Sequence, residues 1–467
     1  MNDLLWRYAA SFVFTLFVVG TGTTEVQASD RWNLLLVTAD DLNGDAAQWS
    51  GSKLPVTPNL DAFAKTSHRF INHHVTISIC QPGRAVLMTG RLPHRNGALG
   101  FQPTRQDIPT LVEILQKEGY FAGVIAKAAH MMPSSKFPWD SIGEQALGKQ
   151  PVGFSQSFRS MVAEAKKRNQ PFFINANICD PHRPFISGSG KRKQDGNESL
   201  DGVRTFKSED VTVPDFLEDL PRVREEVAQY TTSVSRFDLS FGLLLEELKR
   251  SGNDEDTVVV FLSDHGMSFP FSKATVYYNG TWSPLLIRVP GQLPAKEHRE
   301  FVSSVDAMPS LLQILNVAPP NGMDGRSWAP LLTGEEQSDR DYVITHVNTV
   351  SSGKSFAQRC IRTKNRALLF HAWPGGPNPF RVEAMSGLSF AAMNESTDPN
   401  IRARVEQLVR GEPLMFFDTN KDPSERVNLL GDRAYAAEVK ETSQKLLEQM
   451  RRSEDPLTDA FAKAAGL

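Results

Sequence analysis

Four short, continuously apolar runs predict the buried strands of a mostly parallel sheet. They cover residues 34–38, 121–125, 172–178 and 258–262. Strands that are apolar throughout, rather than alternating, are typical of sheets covered on both faces. Residues 111–118 and 225–250 lie between these runs and repeat their apolar positions at helical spacing, with Gly252 as a stop after the second. Because strands and helices alternate, the pattern predicts an α/β fold with helices flanking the sheet.

The pattern changes near residue 341. Shorter strand-like runs at 343–347 and 367–370 precede a helical stretch at 434–452. This order predicts a smaller antiparallel sheet with a covering helix, so we expect a catalytic domain over 29–340 and a C-terminal α+β subdomain over 341–467. The polar segment 187–210, rich in Gly, Lys and Asp, predicts a surface excursion.

The first 28 residues have the pattern of an export signal. Arg7 precedes an apolar run over 8–19, and Val26-Gln27-Ala28 offers a small-residue cleavage site. A membrane anchor is the alternative, but a spanning helix needs about 20 apolar residues and this run is shorter. We therefore expect cleavage after Ala28, no stable membrane anchor, and a secreted or periplasmic protein.

Composition narrows the class of partner. The 467 residues are 40% hydrophobic and 22% charged, which fits globular units and excludes a disordered chain. Because 51 basic residues nearly balance 54 acidic ones, we expect no nucleic-acid partner, and an anionic substrate must be attracted locally.

Three cysteines are too few for a disulfide framework. Cys179 and Cys360 either pair, remain free, or are buried and inert, and the last interpretation is favoured.

Charged side chains follow each of the four predicted strands. In chain order these are Asp40-Asp41, then Lys127 and His130, then Asp180-Pro181-His182-Arg183, then Asp264-His265-Gly266. Ligands of an open α/β sheet bind outside the carboxyl ends of its strands. We therefore expect these groups to converge at one edge of the sheet.

Cys80 begins a short motif, Cys80-Gln81-Pro82-Gly83-Arg84, between a β-branched run at 75–79 and a helical run at 85–88. The motif therefore predicts Cys80 at or near a helix N-terminus, where backbone N–H groups and the helix dipole stabilise an anion. A buried cysteine beside a Pro-Gly turn is the alternative that these five residues leave open.

Together with Leu87-Met88-Thr89-Gly90-Arg91, the motif resembles the signature of the sulfatases. Asp40-Asp41 and Asp264-His265-Gly266 resemble the two metal-binding elements of that family, and Asp324-Gly325-Arg326-Ser327 resembles one of its C-terminal landmarks. Within the family the chain most resembles the heparan N-sulfatase (sulfamidase) branch. Asp180 to Arg183, Gln229 to Thr232, and the stretch from Phe269-Pro270 to Tyr277 carry that resemblance.

The resemblance implies a mechanism. A dedicated maturation enzyme oxidises Cys80 to formylglycine, whose hydrate attacks the sulfur of a sulfated saccharide. The implied metal ligands are Asp40, Asp41, Cys80, Asp264 and His265. Three carboxylates favour a hard cation, calcium first and magnesium second, over zinc. The implied catalytic residues are Cys80, Arg84, Lys127, His130, His182 and Lys273. Of these, Arg84 and Lys127 steady the diol, His182 and Lys273 contact the sulfate, and a histidine moves protons.

Several positions depart from the family pattern. Gln81 and Gly83 replace small residues of the signature. His265 stands where asparagine is frequent, and Lys273 stands where the sulfamidase branch has arginine, which exchanges a two-pronged contact for a point charge. His130 lies three residues after the lysine instead of two, so a one-residue bulge is needed to restore the geometry.

The remaining histidines have weaker patterns. His73-His74 lies just upstream of the motif, but adjacent strand residues face opposite ways, which favours structural roles over a metal pair. His94 and His346 have no motif context and receive no role.

Two other functions stay open: hydrolysis of phosphonate monoesters or phosphodiesters on the same fold, and non-catalytic binding of sulfated glycans.

Overall fold

The four apolar runs pair side by side at the centre of an eight-stranded sheet in the computed structural model, which describes residues 31–186, 200–291 and 295–467. The strands of this part of the chain are β1 (Asn33–Asp40), β2 (His68–Phe70), β3 (His73–His74), β4 (Phe121–Ile125), β5 (Ser141–Gly143), β6 (Phe172–Pro181), β7 (Thr257–Ser263), β8 (Leu285–Arg288), β9 (Glu297–His298) and β10 (Val302–Ser303). The sheet order is β5-β4-β6-β1-β7-β8-β2-β9, and β3 pairs separately with β10.

The centre of the large sheet is parallel, as predicted. Strand β1 pairs in parallel with β6 and β7, and β4 pairs in parallel with β6 and β5. Strand β8 runs antiparallel to both β7 and β2, which makes the sheet mixed towards that edge. The predicted mostly parallel α/β sheet is therefore confirmed.

Helices cover both faces of the large sheet. The helices are α1 (Pro58–Ala64), α2 (Cys80–Thr89), α3 (Pro93–Asn96), α4 (Leu111–Lys117), α5 (Pro151–Lys167), α6 (Pro221–Arg250), α7 (Tyr278–Thr281), α8 (Ala307–Ile314), α9 (Ala329–Leu332), α10 (Leu388–Glu395), α11 (Pro399–Arg410), α12 (Ala436–Arg452) and α13 (Thr458–Ala465). Successive residues of β1 enter opposite cores, Leu35 and Val37 into one and Leu34 and Leu36 into the other. This two-sided burial explains why the run is continuously apolar.

The long helix α6 buries the predicted apolar stripe. Phe237, Phe241 and Leu244 are fully buried in the core that also contains side chains of α1 and α5. Each such side chain contributes about 1.5–3 kcal/mol relative to an exposed one. The helix therefore covers one face of the sheet, and it also contacts the loops that follow β1 and β6 at the carboxyl edge of the sheet.

A four-stranded antiparallel sheet forms the C-terminal part, as predicted. Its strands pair in the order β11 (Tyr342–Thr349), β12 (Ser355–Thr363), β13 (Arg366–His371) and β14 (Leu414–Asp418). Helix α12 covers this sheet by packing Leu446, Leu447 and Met450 against its apolar side chains. Residues Arg31–Leu467 form one compact unit, and the domain division at 340/341 stays a prediction.

Two sequence predictions fall wholly or partly outside the described residues. The export signal over 1–28 lies outside them, as do residues 187–199 of the polar segment. The described remainder of that segment, 200–210, is mostly exposed apart from the buried Phe206. Among the described residues, none of the helices combines the length and the apolar character that a membrane-spanning segment needs.

All three cysteines are buried and unpaired. Cys179 and Cys360 therefore do not form the disulfide that the sequence left open. Burial raises the pKa of each of their thiols to about 12, so both are protonated and unreactive at neutral pH. The favoured interpretation of two buried, inert residues agrees with this environment.

Candidate active site

The carboxyl ends of four adjacent strands, β4, β6, β1 and β7, bring the predicted charged groups together. The potential ligand atoms of Asp40, Cys80, Asp264 and His265 all lie within 4.8 Å of one another. A second, overlapping set within the same limit joins Asp40 and Cys80 to Asp41 and His182. Residues that are up to about 225 positions apart in sequence thus form one buried cluster.

A sharp turn after β1 lets two consecutive aspartates serve one site. Asp41 has a φ of 70°, and the register between β1 and β6 shifts between Ala39 and Asp40. Aspartate tolerates the left-handed region better than most residues do. The hydroxyl of Tyr230 on α6 donates to the Asp41 carbonyl at 3.0 Å and supports this turn.

Cys80 is the first residue of α2, as the motif predicted. Its Sγ lies 3.1 Å from His265 Nε2 and 3.6 Å from Asp40 Oδ1. Burial raises the pKa of the thiol, although Lys273 opposes this, and the nearby Asp40 and Asp264 raise it further. The unmodified thiol is therefore neutral, which makes it a weak nucleophile.

Arg84 lies one turn after Cys80 and is 1% exposed. Its guanidinium donates to Asp264 Oδ2 at 2.9 Å, to Thr38 Oγ1 at 3.0 Å, and to Asn177 Oδ1. The Asn177 amide in turn donates to the carbonyls of Ile125 and Ala126 at 3.0 and 3.1 Å. Arg84 is thus fixed by residues on β1 and β6 and by the residue that follows β7.

Two lysines neutralise the aspartate pair. Lys127 forms an ion pair with Asp40, and Lys273 Nζ lies 2.9 Å from Asp41 Oδ1. Burial alone raises the pKa of Asp40, but Lys127, His182 and Arg84 together lower it well below its usual range. Asp264 differs, because burial and the adjacent Asp40 carboxylate raise its pKa. Crowded carboxylates of this kind are stabilised by a bound cation.

His182 lies on a turn that α6 anchors from both sides. Asp180 accepts two hydrogen bonds from Arg236, at 2.6 and 2.9 Å, and Arg183 pairs with Glu226 at 2.7 Å. The His182 Nδ1 lies 2.6 Å from the Arg183 carbonyl, which can only accept, so Nδ1 carries the proton and Nε2 faces the site. Burial lowers the pKa of His182, but Asp41 and Asp40 outweigh it and raise the pKa to about 9.

Sequence reasoning missed Glu383, which belongs to the C-terminal half of the chain. Its carboxylate lies 2.9 Å from Lys273 Nζ and 3.6 Å from His182 Nε2. Burial raises the pKa of Glu383, but Lys273 and His182 lower it to about 2, so it is ionised. No spacing in the sequence links this glutamate to the strand ends. Asn177 was also missed, although a polar residue inside the apolar run 172–178 was an available signal.

His130 is placed least favourably of the predicted residues. It ends a short turn that begins after Lys127, and both Ala126 and Lys127 have a φ of 55°. Its ring packs edge-on to Phe101, and it is absent from the two groups of converging ligand atoms. Burial, then the charges of Lys127 and Arg84, lower the pKa of His130 to about 3, so its ring is neutral. Its proposed role in proton transfer stays a prediction.

His73 and His74 have structural partners. His73 Nδ1 lies 3.1 Å from the Ser283 carbonyl, and His74 Nδ1 lies 3.0 Å from Thr281 Oγ1. Burial lowers the pKa of His73 to about 4. Both rings are therefore satisfied within the fold, in line with the structural roles expected for them.

Comparison with known proteins assigns the chain that carries this cluster to a family. The sulfatase family model matches residues 32–317, which include every predicted metal ligand. The chain belongs to the sulfatase family. As a sulfatase it is a hydrolase of sulfuric esters. A second model, the C-terminal region of N-sulphoglucosamine sulphohydrolase, matches residues 264–372.

Individual relatives agree with the family assignment. Human N-sulphoglucosamine sulphohydrolase is 29% identical over 65% of this chain and 66% of its own length. An ulvan-active sulfatase from Formosa agariphila is 25% identical over 93% of this chain and 84% of its own. A solved structure titled as a complex with its substrate D-glucosamine-2-N,6-O-disulfate superposes with a TM-score of 0.67. It is 19% identical and covers 92% of this chain and 99% of that one. At that identity the structural likeness shows a shared fold.

The donor set of the cluster fits a hard divalent cation. Three carboxylates offer oxygen atoms, and His265 adds one nitrogen through Nε2 while its Nδ1 lies 3.0 Å from the Gly266 carbonyl. Oxygen-rich sites of this kind suit calcium or magnesium better than zinc. The residues present are therefore compatible with the metal that sulfatases use.

Proposed function

We propose that this sulfatase removes sulfate from the non-reducing end of sulfated sugars, with N-sulfoglucosamine as a substrate. The proposal rests chiefly on one observation. Cys80 at the start of α2 lies beside a cation-compatible carboxylate cluster, while Arg84, Lys127, Lys273 and His182 surround that cluster with positive charge. Such an arrangement attracts an anionic sulfate that the chain as a whole, with its net charge of -3, does not attract.

Cys80 acts, in this proposal, after conversion to formylglycine by a maturation enzyme in the host. One hydroxyl of the hydrated aldehyde attacks sulfur and displaces the sugar oxygen or nitrogen, which leaves with a proton. Loss of a proton from the second hydroxyl then expels sulfate and restores the aldehyde, which water hydrates again. The neutral, buried thiol supports this view, because an unmodified Cys80 is a poor nucleophile. A divalent cation held by Asp40, Asp41, Asp264 and His265 would stabilise negative charge on the sulfate oxygens when bound.

His182 is proposed as the acid that protonates the leaving group. Its Nδ1 proton is committed to the Arg183 carbonyl, so Nε2 is the atom that can donate into the site. The nearby Asp41 and Asp40 carboxylates raise the pKa of His182, which favours the imidazolium at neutral pH. A sulfamate nitrogen needs such a proton more than an aryl oxygen does, because the phenolate is already a stable leaving group.

Glu383 is proposed as a positioning residue. It contacts both Lys273 and His182, so its carboxylate holds two cationic side chains against the site from the C-terminal half of the chain. The side chain is 37% exposed, which also leaves it accessible to the sugar. A carboxylate here is suited to accept hydrogen bonds from sugar hydroxyls or from the glucosamine ammonium that desulfation produces.

The decisive experiment compares substrates on protein matured in a host with a formylglycine-generating enzyme. Mass spectrometry of the peptide containing Cys80 measures its conversion, and kcat/KM is measured on N-sulfoglucosamine, a glucosamine O-sulfate and an aryl phosphonate. We expect conversion of Cys80 and turnover of N-sulfoglucosamine. Activity on the O-sulfate without activity on N-sulfoglucosamine would contradict the substrate. Activity on the phosphonate alone would contradict the proposed reaction.

The cellular setting is proposed from the sequence. The export pattern over 1–28 supports maturation followed by secretion or release into the periplasm, where a sulfated polysaccharide is accessible. N-terminal sequencing of protein recovered from the periplasm or medium tests this, and cleavage after Ala28 is the expected result. Recovery only from the membrane fraction with an intact N-terminus would contradict it.

A further inference from the structure

A second cluster of potential metal ligands lies where the C-terminal sheet contacts the rest of the molecule. It consists of His94, on α3, His346, on β11, and Asp455, between α12 and α13. Their ligand atoms lie within 4.8 Å of one another. The cluster shares no residue with the active site, and three segments that are far apart in sequence meet in it.

His346 makes the fewest side-chain hydrogen bonds of the three residues. It is 2% exposed, and neither ring nitrogen has a hydrogen-bond partner among the described residues. Its Nδ1 is 3.8 Å from Asp455 Oδ2, which is too long for a hydrogen bond. The backbone fixes this position, because His346 N–H donates to the Thr76 carbonyl at 2.7 Å. A buried imidazole without hydrogen-bond partners is unusual, and a ligand bound to its ring nitrogens would account for it.

His94 has one ring nitrogen in the form that binds metals. Its Nε2 lies 2.8 Å from the Ser453 carbonyl, which can only accept, so Nε2 carries the proton. The lone pair is therefore on Nδ1, a buried atom with no hydrogen-bond partner among the described residues. Metal-binding histidines commonly donate their second nitrogen to a carbonyl in this way, which fixes the tautomer and the ring orientation.

Asp455 retains one free acceptor position that faces His346. Arg359 donates to Oδ2 at 2.6 Å and to Oδ1 at 3.0 Å, and Leu457 N–H donates to Oδ1 at 3.0 Å. A carboxylate has about four acceptor positions, two on each oxygen. These three donors leave one position, on Oδ2, the oxygen nearest His346 Nδ1.

We propose that His94, His346 and Asp455 bind a zinc ion that joins α3, β11 and the segment between α12 and α13. Two imidazole nitrogens and one carboxylate oxygen are a frequent zinc donor set, with water completing a tetrahedron. Calcium is disfavoured, because it needs six to eight oxygen ligands and this cluster offers one carboxylate already paired with Arg359. The adjacent guanidinium also weakens binding of any cation held by charge alone, so affinity must come from the nitrogen ligands.

The test measures zinc directly on the full-length protein. Chelated samples are reloaded with calcium, titrated with Zn²⁺ alone, and assayed for bound metal by plasma mass spectrometry. Wild type and Asp264→Asn, which alters the active-site cluster, are both expected to bind one tight zinc equivalent. His94→Gln and His346→Gln are expected to bind that equivalent at least about 100-fold more weakly, since each removes one of only three protein ligands.

His94→Gln is the decisive variant, because His94 is only half-buried and its replacement by glutamine disturbs the core less than a change at His346. Zinc should raise the Tm of wild type and Asp264→Asn but not of His94→Gln, whose sulfatase activity with calcium should equal that of wild type. Zinc binding by His94→Gln with wild-type stoichiometry and affinity would overturn the proposal. So would the absence of a tight zinc equivalent in wild type, or its loss in Asp264→Asn alone.

Discussion

Replacing Asn177 with alanine tests whether Arg84 is held in position from the neighbouring strand. Asn177 Oδ1 accepts hydrogen bonds from Arg84 Nη1 and, at 2.7 Å, from Thr38 Oγ1. Arg84 retains Thr38 and Asp264 in the variant, so the ion pair survives while one of the three contacts that orient the guanidinium is lost. We expect a correctly folded enzyme whose sulfate site is misaligned.

The expected loss of kcat/KM follows from the hydrogen bond that the substitution removes. A hydrogen bond to a charged group contributes about 1.5–3 kcal/mol, and about 1.4 kcal/mol corresponds to a tenfold change in rate. If the contact is needed in the transition state, Asn177→Ala lowers kcat/KM about 10- to 150-fold. The variant also removes an amide that donates to the Ile125 and Ala126 carbonyls, so the free energy of unfolding should fall by about 1–3 kcal/mol.

Asn175→Ala is the matched control. Asn175 lies two residues earlier on β6, on the same face, and is 1% exposed, but its amide contacts Met131 Sδ at 3.5 Å instead of Arg84. Both variants are compared with wild type by kcat/KM, by urea unfolding and by the fraction of Cys80 converted to formylglycine. Equal activity losses in the two variants, or unchanged kcat/KM in Asn177→Ala, would refute the reasoning about Arg84.

Four further predictions concern the active site. Cys80→Ala should fold normally and lose nearly all activity, and substantial remaining turnover would exclude Cys80 as the nucleophile. Chelation and Asp264→Ala should each abolish activity, with calcium or magnesium but not zinc restoring the chelated enzyme; full activity in a metal-free preparation would contradict the metal assignment. His182→Ala should lower kcat/KM for N-sulfoglucosamine more than for an aryl O-sulfate. Because the acid form exists below the pKa of His182, which Asp41 and Asp40 raise, and is lost above it, wild-type activity on N-sulfoglucosamine should fall as the pH rises through that pKa. Equal losses on both substrates, or the same alkaline fall in His182→Ala, would exclude this role. Glu383→Gln should lower kcat/KM about fivefold, the effect of about 1 kcal/mol expected for a partly exposed ion pair, with Glu395→Gln as the surface control; unchanged kinetics would exclude Glu383 as a positioning residue.

Local pattern was sufficient to predict the strands, because a strand covered on both faces must be apolar at every position. The prediction of 121–125 coincides with β4, and the other three runs lie inside β1, β6 and β7. The helical run 434–452 likewise matches α12 to within two residues at its start. Charged residues directly after such strands are then placed by the chain itself at the carboxyl edge of the sheet.

The fold class, the strand ends and the motif around Cys80 could be predicted from the sequence, because each depends on residues that are neighbours along the chain. The distant residues that complete the two clusters could not be predicted, because they meet only when separate elements pack together. Glu383 reaches Lys273 and His182 only because the C-terminal half packs against the edge of the large sheet. His94 and His346 have no motif in sequence, yet docking of β11 beside α3 brings their rings to 6.0 Å between centroids. Periodicity records the burial of single elements, whereas these contacts depend on how separate elements pack together.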